Sequence, residues 1–432
     1  MNWRRLFPLI PLFACVDGFI ANYFYPAVLP LLYRDILVLF VYLLFAFQGH
    51  FGSWASQLHQ RVGSVPWALG LAFLAVCVLQ IFNPSLPGLT VGLLGFKVTA
   101  FYWPLSILAY AYTTDLPAAR RLARWIVFLS IPINLFGLYQ FQAGPYYLVD
   151  TFGPGFERAT ILAHLENVSD PEDTFLRVIG TFASSGQYSN FLVINAMLIL
   201  ALALSTSVPS NRLLLYGLVL FNFVTLLATG SRGGILSLGL TLPCLWLFSP
   251  HIRRGAWLTL VAAACIHLGF RWMGSAVLQR FETLADVEMI RQRTFETTPV
   301  MFMDLLRTHP LGHGIGMASS ASRYLMENEE LAELAEPFLI ENHLSKLQLE
   351  TGIFGVLTFY LFAATLLLQW VGRWRRSWDD QTRIFLSPLS AYCLSSLALS
   401  FIIGGFDSPP QSLFFWILTG IVARLSSSPK PV

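Results

Sequence analysis

The chain has 432 residues, of which 55% are hydrophobic and 12% charged, with a mean hydropathy of +0.61; soluble domains carry about a quarter charged residues, so a soluble globular fold is excluded and a polytopic membrane protein indicated. A formal net charge of +3 is too small to argue for nucleic acid, and none is expected as a partner. Cys15, Cys77, Cys244, Cys265 and Cys393 all lie in apolar runs without metal-ligand spacing, so they read as packed or lipid-facing thiols, not as a disulfide framework.

The start, Met1 to Arg5 followed by Leu6 to Val16, imitates a signal peptide, but the apolar run continues to about Tyr33 and reads as a retained first span. Windows of about 17 to 25 apolar residues predict twelve spans, near 8–32, 36–52, 66–82, 89–112, 122–141, 187–205, 211–229, 234–249, 255–273, 350–371, 384–403 and 408–424. With the N-terminus inside, fifteen of the twenty-seven Lys and Arg residues are cytoplasmic, and the short outer loops hold only Arg34, Arg158, Arg177 and Arg232, as the positive-inside rule asks.

The expected fold is therefore an all-α transmembrane bundle of about twelve spans, one integral membrane domain over 1–432. Both termini are expected in the cytoplasm, with two sizeable outer-face loops, 142–186 and 274–349. Arg34-Asp35 reads as a two-residue charged hairpin between the first two spans. Asp17 and Lys97 sit inside spans, where charge is costly and marks either a bundle-facing pair or a substrate contact; Lys97 is the better site candidate.

Four strings meet the predicted outer face: Arg177-Val178-Ile179-Gly180-Thr181-Phe182; Thr229-Gly230-Ser231-Arg232-Gly233; His309-Pro310-Leu311-Gly312-His313-Gly314-Ile315-Gly316; and Glu341-Asn342-His343 ahead of Leu349-Glu350-Thr351-Gly352-Ile353-Phe354-Gly355. His309 and His313 have the spacing of a helical metal pair, but the proline and glycines among them make a helix there unfavourable, and no metal site is expected. Each string has a duller reading. Arg232 can snorkel to headgroups, Asn342 can cap a helix, and Glu350 can favour a helix N-terminus.

In order and topology the four strings resemble the O-antigen ligase and O-antigen polymerase superfamily, over roughly residues 175–370. The resemblance implies a metal-independent, cofactor-free, inverting glycosyltransferase acting on undecaprenyl-diphosphate-linked glycans at the outer face of the bacterial plasma membrane, with a flippase and a chain-length regulator as companions. Carried over by motif, Arg177 and Arg232 match the family's substrate-binding arginines, and Arg291 or Arg293 the one upstream of the His-Pro-Leu-Gly string. Glu341 stands where the ligases have their loop histidine, and His343 follows two residues later; both are candidates for the catalytic base. The acidic-Asn opening is more similar to exopolysaccharide or capsule polymerases. Polymerisation of lipid-linked repeat units is therefore expected, with ligation of finished glycan to a lipid A-core or other acceptor, or transport by a lipid-linked oligosaccharide flippase, as alternatives.

The chemistry is consistent with those residues. Breaking a sugar-diphosphate bond builds negative charge on the leaving group, which guanidinium groups stabilise bidentately without a divalent ion. A positioned carboxylate or imidazole taking the acceptor hydroxyl's proton contributes ~10²- to 10⁴-fold. Glu341, His343 and Glu350 are the available groups.

Overall fold

The computed structural model describes residues 2–25, 29–48, 51–144, 146–157, 164–165, 175–248, 291, 297–318, 340, 342–377, 380–404, 406 and 409–426. These residues form a helical bundle. Five of its helices are long and apolar enough to cross a membrane: α5 (Ser64–Ile81), α8 (Leu116–Ala143), α10 (Ser185–Ser205), α11 (Pro209–Ala228) and the apolar part of α14 (His343–Ser377). The remaining helices are α1 (Trp3–Leu6), α2 (Leu9–Tyr23), α3 (Leu29–Phe47), α4 (Phe51–Val62), α6 (Leu89–Thr99), α7 (Leu105–Tyr112), α9 (Tyr147–Phe152), α12 (Arg232–Phe248), α13 (Thr298–Thr308), α15 (Asp380–Leu399) and α16 (Gln411–Leu425). The span expected at 255–273 lies outside the described residues.

At the centre stands α10, with 83% of its membrane-length window buried. It is apolar all round, which suits a helix surrounded by others. Its few polar side chains are spent on neighbours: Asn195 Nδ2 donates to Ser130 Oγ of α8 (2.9 Å) and Asn222 Oδ1 of α11 (2.8 Å), and Asn222 Nδ2 donates to Leu192 O (2.7 Å). Such bonds join helices where the hydrophobic effect between them is weak.

Two expectations fail, each for an identifiable reason. The hairpin at Arg34-Asp35 does not exist, because α3 begins at Leu29 and carries both residues inside it, 4% and 7% exposed. The span expected at 89–112 is interrupted: α6 ends at Thr99 and α7 starts after Pro104, with tight turns between them (Trp103 N to Ala100 O, Leu105 N to Tyr102 O). Pro104 has no N–H to continue α6 and disfavours helical geometry at Trp103 before it.

The described part of the first outer loop holds α9, a 3₁₀ turn at Pro154–Phe156 and a two-residue antiparallel ladder, His164–Leu165 against Phe175–Leu176. Leu148 and Phe156 are buried and, with Ile179, gather Phe19 of α2 and Phe136 of α8 beside them. The loop is thereby anchored to the helices that lead into the first arginine string.

Candidate functional site

Arg177 follows the short ladder on an extended stretch that is tied down on three sides. Val178 N donates to Ala228 O at the end of α11 (3.3 Å), and Gly180 N donates to Gln140 Oε1 of α8 (3.0 Å). Thr181 interlocks with α2, its carbonyl accepting from Phe19 N (2.8 Å) and its Oγ1 donating to Cys15 O (2.5 Å). A Cβ at Gly18 would lie 1.9 Å from Ala183 N, so α2 admits this segment only because position 18 has no side chain.

The second string makes the turn between α11 and α12. Gly230 has φ +58°, the left-handed region that favours glycine. Ser231 Oγ accepts from Gly234 N (3.2 Å) and from Ser189 Oγ of α10 (2.9 Å), which caps α12 and fixes its start. Arg232, the first residue of α12, comes near enough to Arg177 for their charges to repel. Burial first, and the Arg232 charge second, hold the Arg177 guanidinium below the ordinary arginine range. Arg177 Nε is buried and has no hydrogen-bond partner among the described residues. Two residues 55 positions apart thus form one cationic corner at the N-terminus of a helix, where anions are favoured.

The third and fourth strings fold onto each other. Gly352 interrupts α14 with φ +67° and ψ −173°, a region essentially reserved for glycine. The rings of His343 and Phe359 are 5.3 Å apart, whereas sixteen residues of straight helix would separate them by about 24 Å. The 343–351 arm therefore turns back along the 353–377 arm. The His309–Gly316 string lies against the bend: Ile353 N donates to Pro310 O (3.0 Å), His313 N to Leu349 O (2.6 Å) and Gln348 Nε2 to His309 O (3.1 Å). Gly312, Gly314 and Gly316 all have positive φ, so no helix forms here, although the His309 and His313 rings still come within 4.7 Å. Burial and the neighbouring His309 push the His313 pKa down.

Glu350, 3% exposed, accepts from Ala318 N (3.1 Å) and Thr99 Oγ1 (3.5 Å), so it joins this loop to α6. On α5, Gln80 Nε2 donates to Leu311 O (2.5 Å).

Asn342 caps the returning arm, its Oδ1 accepting from Ser345 N (2.7 Å). His343 is buried, 4% exposed, with its ring against Phe359 and Phe406. Leu344 N donates to Ser400 O (3.3 Å), and Ile403 is the nearest neighbour of a Cβ added at Gly233, at 3.9 Å. The chain that follows α15 thus touches both the Asn342-His343 string and the start of α12. Arg291 is exposed; Arg293 and Glu341 lie outside the described residues.

Lys97 is paired with a carboxylate of α3. Its Nζ lies 2.7 Å from Asp35 Oδ2. Asp35 also meets Arg34 (3.2 Å) and the Tyr102 hydroxyl, and Arg34 pairs with Asp17 and donates to Tyr102 OH (2.7 Å). This buried network was not legible as a unit in the sequence, although two lone charges in spans, Asp17 and Lys97, signal that counter-charges must be buried with them.

Among the described residues, no group of three or more His, Cys, Asp or Glu is placed to hold a metal ion. The architecture defines a helical membrane protein, with an arginine corner and a folded-back helix joined through one connecting segment. No protein-family model matches the chain, and no characterised protein matches it in sequence.

Proposed function

We propose that the protein is a membrane glycosyltransferase that polymerises undecaprenyl-diphosphate-linked repeat units into a surface polysaccharide at the outer face of a bacterial plasma membrane. In this reading the bundle has about twelve spans with both termini cytoplasmic. The observation that carries it is the convergence of Arg177 and Arg232 on one corner, where the Val178 N–Ala228 O bond and the Gly230–Ser231 turn bring their strings together: two guanidinium groups near each other, one of them half-buried, favour an anion between them. A diphosphate, with two charged groups and several acceptor oxygens, fits two planar bidentate donors.

The acceptor sugar's hydroxyl oxygen attacks the anomeric carbon of the donor, and the bond from that carbon to the phosphate oxygen breaks with inversion. The electron pair leaves on undecaprenyl diphosphate, beside Arg177 and Arg232. The hydroxyl proton passes to a base in the 341–343 string. The burial of the His343 ring between two phenylalanines favours Glu341 for that role.

Deleting the gene tests the reading. Single repeat units accumulating on the lipid carrier support polymerisation. Full-length chains stranded on the carrier would reassign the protein as a ligase, and units retained on the cytoplasmic side would make it a flippase.

A further inference from the structure

The four outer-face strings do not build the site alone. The arginine string is seated in α2 through Cys15, Gly18 and Phe19. The His309–Gly316 loop is seated in α6, where a Cβ at Gly95 would lie 2.3 Å from Gly316 N, and Glu350 reaches Thr99. Between these two seats lies the charge network. Asp17 is one residue from Gly18 on α2, and Lys97 lies between Gly95 and Thr99 on α6. Arg34 and Asp35 on α3 join them, while Tyr102 brings in the break before α7.

The network holds two cations and two carboxylates and is formally neutral. Its hub is sealed, with Arg34 and Asp35 at 4% and 9% side-chain exposure, while its ends, Asp17 and Lys97, are a quarter exposed. Lys97 sits eight residues into α6, about 12 Å along the helix. Such a cation needs a counter-ion, and Asp35 is the carboxylate it pairs with.

We infer that Asp35 is a positioning residue: by balancing the Lys97 charge inside the bundle it lets α6 pack with α2 and α3 in the register that brings the arginine string and the His309–Gly316 loop to one site, and Lys97 belongs to this charge latch and not to the diphosphate grip. The inference rests on the glycosyltransferase reading, and it gives Lys97 a structural role in place of the substrate contact expected from the sequence. Removing Asp35 strands Lys97 at depth, whereas removing Lys97 leaves Asp35 still held by Arg34 and Tyr102. The two single variants are therefore unequal, and removing both charges restores balance.

The experiment compares Asp35→Asn, Lys97→Met and the double variant in the full-length protein. Abundance, melting profile and polymer yield are measured in membranes, and kcat and KM for lipid-linked repeat unit on purified protein. Asp35→Asn should lower kcat by about tenfold or more with KM for the donor unchanged, and the double variant should recover to within about threefold of wild type. Lys97→Met alone should stay within about threefold as well. A severe loss in Lys97→Met with raised donor KM, unrelieved in the double variant, would place Lys97 on the substrate and overturn the inference. If Asp35→Asn fails to accumulate, recovery of both abundance and polymer in the double variant sustains the latch, and no recovery refutes it. The gene-deletion phenotype judges the glycosyltransferase reading separately, since it does not depend on either residue.

Discussion

Gly352→Ala puts the folded-back helix to a direct test. At φ +67° and ψ −173°, any side chain costs ~1–3 kcal/mol in backbone strain. The added Cβ would also lie 2.4 Å from Leu311 C and 2.7 Å from Gly312 N. Those atoms are backbone in a loop already bonded to Ile353, Leu349 and Gln348, so no rotamer change relieves the clash, and overpacking adds ~1–3 kcal/mol more. The sum, about 2–6 kcal/mol, should lower the melting temperature on the order of 5 °C for a chain of this size. The buried thiols Cys15, Cys77 and Cys393 report unfolding directly when a thiol-reactive fluorophore is present during heating. Gly217→Ala and Gly239→Ala are the matched controls. Both lie in helices, and an added Cβ there meets nothing within 4 Å, so they should hold or raise the melting temperature by helix propensity. A Gly352→Ala protein that melts with these controls and still makes polymer would refute the fold-back.

Three further outcomes are expected. Arg177→Ala and Arg232→Ala should each abolish polymer at unchanged protein abundance, and Arg232→Lys should rescue poorly because an ammonium lacks the bidentate fork; near-normal polymer from Arg232→Ala removes it from the mechanism. His313 has a folded pKa below its ordinary value, so the docked loop is fully stable above about pH 6.5 and loses stability as pH falls through the lowered value. Hydrogen exchange at the His313 and Ile353 amides should therefore quicken on acidification beyond the intrinsic pH effect, and His313→Gln should flatten that excess. For topology, a cysteine at Glu157 should react with an impermeant thiol reagent outside intact spheroplasts and one at Arg375 should not; labelling at Arg375 alone inverts the placement of the site.

Hydropathy located the helices because length and apolarity are local properties. The window at 66–82 became α5, 187–205 became α10 and 211–229 became α11, each displaced by no more than two residues at either end. The same windows failed where a single residue overrides the average. Pro104 interrupts an otherwise continuous apolar run, and Gly352 hides a reversal inside what reads as the start of a span. The positive φ at Gly312, Gly314, Gly316 and Gly352 explains in retrospect why the third and fourth strings are glycine-rich: the backbones approach so closely that Gly312 and Gly352 each leave no room for a Cβ on the other. The sequence could point to these glycines as turns, but not to the fact that the two turns pack against each other.

The candidate site divides in the same way. Arg177 and Arg232 were singled out by their strings, and their approach across 55 residues comes from tertiary ties at Val178 and Ser231 that no local pattern encodes. Glu350 reads in the sequence as a base or a helix-end charge; in the fold it is buried, and its bonds to Ala318 N and Thr99 Oγ1 make it a tie between loop and helix. Adjacent opposite charges near the end of an apolar run look like a turn, which is why Arg34-Asp35 reads as a hairpin in the sequence although both residues lie inside α3. Charge balance offered the correction: Asp17 and Lys97 lie in separate spans, and Asp35 with Arg34 supplies each with the opposite charge it needs inside a bilayer. A neutral set of four charges drawn from three helices is a constraint on how those helices pack, which places the first hundred residues, outside the four strings, in control of where the strings meet.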